Sequence, residues 1–445
     1  MLSAERNHLL LLRPYHHLML LLTLAVILFS SSSLVHVVQA EDPKNSKTAI
    51  ATDNASLQKY LANHDMDSLH KALSKLFRES ERMPLDKQRE ASTTTVTPLS
   101  PHKAQRGSGF DVTTRYKMKA DLEQFQYLVD VVFKHQPEKQ LFFKQKVIPV
   151  YEKVLQNMPS DEILAKDQGL YRFQLSDVLL GIKEYYNRAL YRPEEDEDEA
   201  IAGDNSQSSC PTDILNPNLD WKAIEHEYWQ QDPQVVVIDN VLSEEALRRI
   251  RNILLESTVF YQTKNPTLVG TYTGAYIDDG LHDRILLELA MELRRKLPSI
   301  LDPHALRYMW AYKYDSKKTT TSQEGIKLHA DMAAVNVNLW ITPDEANLDP
   351  NSGGLVVYTV KPPDHWNIME YNTNTDRVYE ELLKPAGFRN ITVPYKENRA
   401  LIFDSALFHH GDKQHFKQGY PNRRINLTIL YGDMKPSGGS SSSAS

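Results

Sequence analysis

The sequence carries a single cysteine, Cys210, in 445 residues. No disulfide can form within the chain, and a zinc site built on cysteine thiolates is excluded. A basic excess is missing as well. The net charge is −7, so no broad cationic face awaits a nucleic acid. Hydrophobic residues make up 41% and charged residues 24%, as in ordinary globular chains, and the length suffices for two or three domains.

Long apolar runs are also scarce. The one that stands out, LMLLLTLAVILF (residues 18–29), follows Arg6 and Arg13 and precedes SSSSLVHVVQA and the acidic EDPKN. A basic start, an apolar centre and the small residues Val38 and Ala40 read as a secretory signal cleaved after Ala40. The competing reading is an uncleaved anchor, since residues 18–40 approach the ~20 needed to span a bilayer. Four serines and His36 favour cleavage. Either way the chain is expected in the secretory pathway, in the ER or Golgi lumen or outside the cell, with residues 18–40 as a membrane tether in the second case. Asn-x-Ser/Thr sequons stand at Asn54, Asn390 and Asn426.

Residues 41–115 are mostly polar and read as disordered, with one helix over about 57–77. STTTVTPLSPHKAQRGSG (92–109) is the flexible part. Residues 116–193 read as a small all-α module. Leu122, Phe125, Leu128, Val129, Val132 and Phe133 recur at helical spacing, as do Val147, Val150, Tyr151, Val154 and Leu155 ahead of Pro159. A third helix is expected over 170–191. The module shows no repeat period; it reads as a packing support, with partner binding as the alternative. The run EEDEDE opens an acidic linker (194–210). From 211 to 433 the pattern is globular: strand VVVID, a helix capped by Ser243, the glycine-rich loop TYTGAYIDDG, a helix over 284–297, then many strands. Those are expected at 306–314, 327–331, 335–341, 354–360, 391–395, 400–403 and 425–431. Helices followed by short strands suggest a jelly roll with helices on one side. Residues 434–445 read as a disordered tail.

Two stretches carry chemistry. GIKLHADMAAVNVNLW opens with His329 and Asp331, which project to one side of an extended chain and can share a cation. ALIFDSALFHHGDKQHF supplies His409, His410 and His415, and NRRINLTILYG supplies Arg423 and Arg424. In RINLTILY, Arg424, Asn426 and Thr428 share one side and Ile425, Leu427 and Ile429 the other; Asn336 and Asn338 pair likewise. These polar faces meet either solvent or a polar lumen.

Taken together, VVVIDNVLSEEAL, AYKYDS, HADMAAVNVNLWITPDEAN, SGGLVVY, VPYKENRALIFDSALFHH and NRRINLTILYG resemble the iron(II)/2-oxoglutarate dioxygenase superfamily near its prolyl-hydroxylase-like branch. The likeness is to an uncharacterised subgroup and covers about 200 residues. It implies an α+β fold with a double-stranded β-helix (jelly-roll) core and flanking helices. It implies Fe(II) held by His329, Asp331 and His409, with His410 and then His415 as alternatives to the last. Arg424 would grip 2-oxoglutarate, and Tyr314, Asn336 and Asn338 would contact it. O2 is the second cosubstrate and ascorbate a further cofactor candidate. The implied reaction is hydroxylation of a C–H bond in a protein side chain or small molecule, releasing succinate and CO2. A non-catalytic binding barrel and a cupin-type enzyme without cosubstrate are the alternatives; Arg424 speaks against the second. Tyr358 and the turn at Ser352, Gly353 and Gly354 read as serving the fold. Residues 364–383 read as either a lid over the site or a plain insertion.

Overall fold

The computed structural model describes residues 54–82, 111–167, 169–193, 211, 213–263, 272–315 and 327–433. The apolar run near the start, the polar stretch 92–109, the acidic run, Cys210 and the tail lie outside the described residues. Among the described residues no helix is long and apolar enough to cross a membrane.

Twelve strands are labelled in chain order. Two are a short pair, β1 (Val112–Thr113) and β2 (Tyr171–Arg172). The remaining ten build two antiparallel sheets. They are β3 (Val235–Asp239), β4 (Gln262–Thr263), β5 (Tyr272–Tyr276), β6 (Leu306–Tyr314), β7 (Val335–Trp340), β8 (Leu355–Tyr358), β9 (Asn390–Val393), β10 (Arg399–Asp404), β11 (His409–Gly411) and β12 (Ile425–Tyr431). The larger sheet runs β3-β10-β7-β12-β6-β5-β4 and the smaller β11-β8-β9. The chain is thus α+β.

Alternation along each strand places the cores. Ile425, Leu427 and Ile429 of β12, Val335, Val337 and Leu339 of β7, and Ala400 and Ile402 of β10 share one apolar cluster. The helices Glu244–Glu256 and Arg284–Lys296 contribute Ile250, Leu254, Leu286 and Leu293 to it. The former helix starts where Ser243 Oγ accepts from Ala246 N at 3.3 Å, with Glu244 and Glu245 in its positive first turn. On the opposite face, Trp340, Leu401 and Phe403 meet Leu355, Val357 and Val393 of the smaller sheet. That second cluster fills one end of the space between the sheets. Gly354 is needed there. A Cβ would lie 1.9 Å from Val393 O and 2.9 Å from Trp340 Cη2. Gly354→Ala is expected to cost about 3 kcal/mol or more, read as a lowered urea midpoint with an unchanged slope.

Several expectations need correction. The single helix over 57–77 is two, Asn54–Ala62 and Met66–Arg82. His64 turns left-handed (φ 59°) and Asp65 Oδ1 accepts from Ser68 N at 3.0 Å, starting the second. Both pack on the main core through Leu57, Leu61, Leu69, Leu73 and Phe77. The expected third helix over 170–191 is β2 followed by two short helices, Leu175–Leu179 and Ile182–Tyr185, divided at Gly181 (φ 86°). The loop TYTGAYIDDG contains β5; Gly274 fits because the Tyr312 ring of the next strand lies over it, 2.9 Å from where a Cβ would sit. Residues 327–331 form no strand, only a bridge at His329, and β11 was not anticipated.

The helical module has its own apolar cluster around Phe125, Phe133, Phe143, Tyr151 and Tyr186. It also docks on the sheet domain. Gln124 Nε2 donates to Leu255 O at 3.0 Å and Ser257 O at 2.9 Å.

Candidate metal centre

His329 and His409 face each other in an antiparallel bridge. His329 N donates to His409 O at 3.0 Å, and His409 N returns to His329 O at 2.8 Å. Residues paired this way project to the same side, and the ring centroids lie 4.2 Å apart. Asp331, two residues on, turns to the same side. Its Oδ1 lies 3.7 Å from His329 Nε2 and its Oδ2 3.6 Å from His409 Nε2. Its backbone N donates to Ser405 O at 3.1 Å.

The tautomers follow from the backbone. His329 Nδ1 lies 2.7 Å from Lys327 O and His409 Nδ1 2.9 Å from Leu407 O. A carbonyl only accepts, so both Nδ1 atoms carry a proton and both Nε2 atoms are left facing Asp331. Burial, then the neighbouring His409 ring, brings the His329 imidazole down to about 4, so it is neutral near pH 7. Burial opposes ionisation of Asp331, while the two imidazoles and the Asn336 amide outweigh it and hold the carboxyl below its ordinary value. Two imidazole Nε2 atoms and one carboxylate therefore converge. Among the described residues this is the one set of its kind, its ligand atoms all within 4.8 Å of one another.

A polar ladder supports the carboxylate. Asn336 Nδ2 donates to Asp331 Oδ2 at 2.7 Å, Asn338 Nδ2 to Asn336 Oδ1, and Asn426 Nδ2 and Thr428 Oγ1 to Asn338 Oδ1 at 2.9 and 3.0 Å. These are the polar faces of β7 and β12, which thus meet an interior and not solvent. Asn336 is placed to orient Asp331 and also lines the pocket.

Arg424, 2% exposed, opens onto the same pocket. Its Nε donates to Gly353 O at 2.7 Å, and its guanidinium lies 4.9 Å from the Tyr314 ring centroid. No carboxylate of the described residues pairs with it. Burial pushes its pKa down, with Tyr314 opposing. Arg423 makes the contrast. It points the other way, where Nη2 reaches Glu123 Oε2 at 2.7 Å and Nη1 reaches Tyr116 Oη at 2.8 Å on the helical module. Burial raises the Tyr314 phenol to about 12, with Arg424 opposing, so it stays a neutral donor.

The pocket is lined by His329, Asp331, His409, Arg424, Tyr314, Asn336 and Asn338, all seven residues singled out from sequence, with Trp310, Leu355, Thr428 and Asn426 among its other walls. His410 is turned away: Nδ1 lies 2.7 Å from Gly411 O and Nε2 3.4 Å from Tyr358 Oη. His415 is not in the donor set. Trp310 was overlooked, although it shares strand parity with Tyr312 and Tyr314 on β6 and could have been read from that.

Residues 364–383, expected as either a lid or a plain insertion, contribute no residue to the pocket's lining but pack beside it. Trp366, Tyr371, Val378 and Leu383 pack on Leu328, Ala330 and Phe408, the neighbours in sequence of the three donors.

No profile of a known family and no curated protein matches the sequence. Solved structures give likenesses over about half of the chain. A non-heme α-ketoglutarate-dependent carbocyclase of nogalamycin biosynthesis is 13% identical at a TM-score of 0.36, covering 51% of this chain and 87% of its own. A prolyl hydroxylase from Trichoplax adhaerens is 13% identical at 0.32, covering 48% and 89%. A prolyl-4-hydroxylase from Pseudomonas putida is 14% identical at 0.30, covering 48% and 98%.

Proposed function

We propose that the chain is an Fe(II)- and 2-oxoglutarate-dependent dioxygenase on a double-stranded β-helix core. The observation that carries this is one buried pocket holding two imidazoles, one carboxylate and a guanidinium that pairs with no carboxylate of the described residues. Two nitrogens and one oxygen on one side of a cation suit ferrous iron and leave positions open. The buried guanidinium donates to the Gly353 and Gly354 carbonyls, which leave its positive charge unbalanced, and its planar fork suits a carboxylate held by two hydrogen bonds. The strand order β10-β7-β12-β6 facing β11-β8-β9 supports the jelly-roll reading.

His329, Asp331 and His409 would hold the metal, with Asn336 orienting the carboxylate and the Lys327 and Leu407 carbonyls fixing the rings. Arg424 would bind the far carboxylate of 2-oxoglutarate, with Tyr314 as a neutral donor beside it. Asn338, Asn426 and Thr428 would keep the lumen wall polar. Bound iron would supply the coupling of 2-oxoglutarate and O2 to hydroxylation of a C–H bond, with succinate and CO2 released; ascorbate is proposed as an accessory cofactor. The protein's share is to orient the reactants and exclude water. Trp310, half-buried on the pocket wall, is a candidate contact for the substrate, a protein side chain or small molecule.

The test is purification under nitrogen with Fe(II), native mass spectrometry with 2-oxoglutarate, then succinate measurement in air. Iron and 2-oxoglutarate retained in equal amounts, with succinate formed, are expected. A protein that takes up neither would overturn the enzyme reading.

We further propose residence in the secretory lumen, with residues 18–40 as signal or tether. Asn390 is exposed on β9 while Asn426 is buried at 4%. Glycopeptide mapping after secretion from a eukaryotic host should find a glycan at Asn390 and none at Asn426. Failure of the chain with its native residues 1–40 to enter the medium or microsomes would count against lumenal residence.

A further inference from the structure

The segment that carries the first two donors is held in an unusual way. The backbone of His329 is used by its bridge to His409, and that of Asp331 by Ser405. Ala330, between them, points its N–H and C=O the other way, as alternation requires. Among the described residues no strand pairs with Ala330 on that side. Instead the carboxamide of Asn372 serves both groups: Ala330 N donates to Asn372 Oδ1 at 3.0 Å, and Asn372 Nδ2 donates to Ala330 O at 2.9 Å. One side chain from 42 residues downstream does what a neighbouring strand would do.

The surroundings repeat the theme. Leu328 and Ala330 alternate with the donors and so face away from the pocket, where they join Tyr371, Trp366 and Val378. Tyr371 meets the Phe408 ring edge-on at 5.8 Å, and Phe408 precedes His409. Both donor segments thus rest on one support. That support is itself cross-linked. Asn367 and Asn374 cap its two short helices, Arg377 pairs with Glu370 and Glu381, and the Arg377 guanidinium lies 4.0 Å from the Trp366 ring centroid.

We infer that residues 364–388 are a brace for the metal-binding segment and that Asn372 is a positioning residue, acting on His329 and Asp331 through the backbone of Ala330. This rests on reading the pocket as a metal site. The segment has backbone partners from His409 and Ser405 on one side, so it needs support on the other side to stay in a binding geometry. Two hydrogen bonds to Ala330, on the far side from the donors, supply it without occupying the pocket.

The experiment uses the full chain and two variants. Asn372→Ala removes the contact. Asn374→Ala loosens the same insertion by uncapping the next helix but touches nothing in residues 327–334. Cobalt(II) affinity is measured by equilibrium dialysis, and amide exchange over residues 327–334 by mass spectrometry on metal-free protein. Asn372→Ala is expected to weaken cobalt binding about 10- to 100-fold and to speed exchange in that peptide about tenfold. The affinity for 2-oxoglutarate at saturating cobalt should stay within about twofold of the parent. Asn374→Ala should match the parent in exchange and in cobalt binding. Unchanged exchange and affinity in Asn372→Ala overturn the inference, as does equal loosening in Asn374→Ala. Should the parent bind no cobalt, the metal reading of the pocket falls, and the exchange comparison alone still decides whether Asn372 braces the segment.

Discussion

Protein carrying His329→Ala or Asp331→Ala is expected to retain no iron and to make no succinate from 2-oxoglutarate, with or without substrate. Each change leaves two donors where three converge. The loss in metal affinity should exceed about 100-fold, beyond what removal of a supporting hydrogen bond produces. Asp331→Ala has a second consequence, because the Asn336 amide loses its acceptor and the ladder through Asn338 to β12 loses its end. His410→Ala is the informative control. His410 neighbours His409 but bonds to Gly411 O and faces Tyr358, so its loss should leave iron content unchanged. Metal analysis of the purified proteins, with circular dichroism to verify folding, reads all three. Parental succinate formation by either His329→Ala or Asp331→Ala would end the assignment.

The second large effect concerns two adjacent arginines with opposite destinies. Arg424→Ala should raise the 2-oxoglutarate concentration for half-maximal turnover by about 100-fold or more. Removing one member of a buried, hydrogen-bonded ion pair costs about 3–5 kcal/mol, and each 1.4 kcal/mol is about tenfold. Iron binding should persist, because Arg424 is not in the donor set. Arg424→Lys should recover little, since an ammonium restores the charge and not the fork. Arg423→Ala should leave 2-oxoglutarate affinity within about threefold and instead lower the melting temperature. Its guanidinium binds Glu123 and Tyr116 across the junction with the helical module. Titration of 2-oxoglutarate against succinate formation, beside a thermal melt, separates the two. Equal affinities in Arg423→Ala and Arg424→Ala would show that the cosubstrate is held elsewhere.

What could be read in advance follows a physical boundary. Strand parity is a local property: side chains two apart share a face whatever the rest of the chain does. That is why His329 with Asp331, Asn336 with Asn338, and Arg424 with Asn426 and Thr428 could be grouped from spacing. The bounds of β6 and β12 were legible as well, each being a long strand-like run rich in aromatic or β-branched residues. The short β11 was not. Three residues carry too little pattern, and His409–Gly411 is a strand because β8 lies beside it. Residues 327–331 failed in the opposite sense. Their pattern suits a strand, but the partner on one side is a single asparagine.

By itself, the sequence determined which residues share a face, where the long strands begin and end, and which donor types are available. Tertiary structure alone decided that His409 and not His410 turns to the donor set, that the insertion supports the donors from behind, and that the polar faces of β7 and β12 look into a lumen. Each of those depends on register between segments far apart in the chain, and register is set by the packing of the two sheets and their helices together, which no local pattern contains.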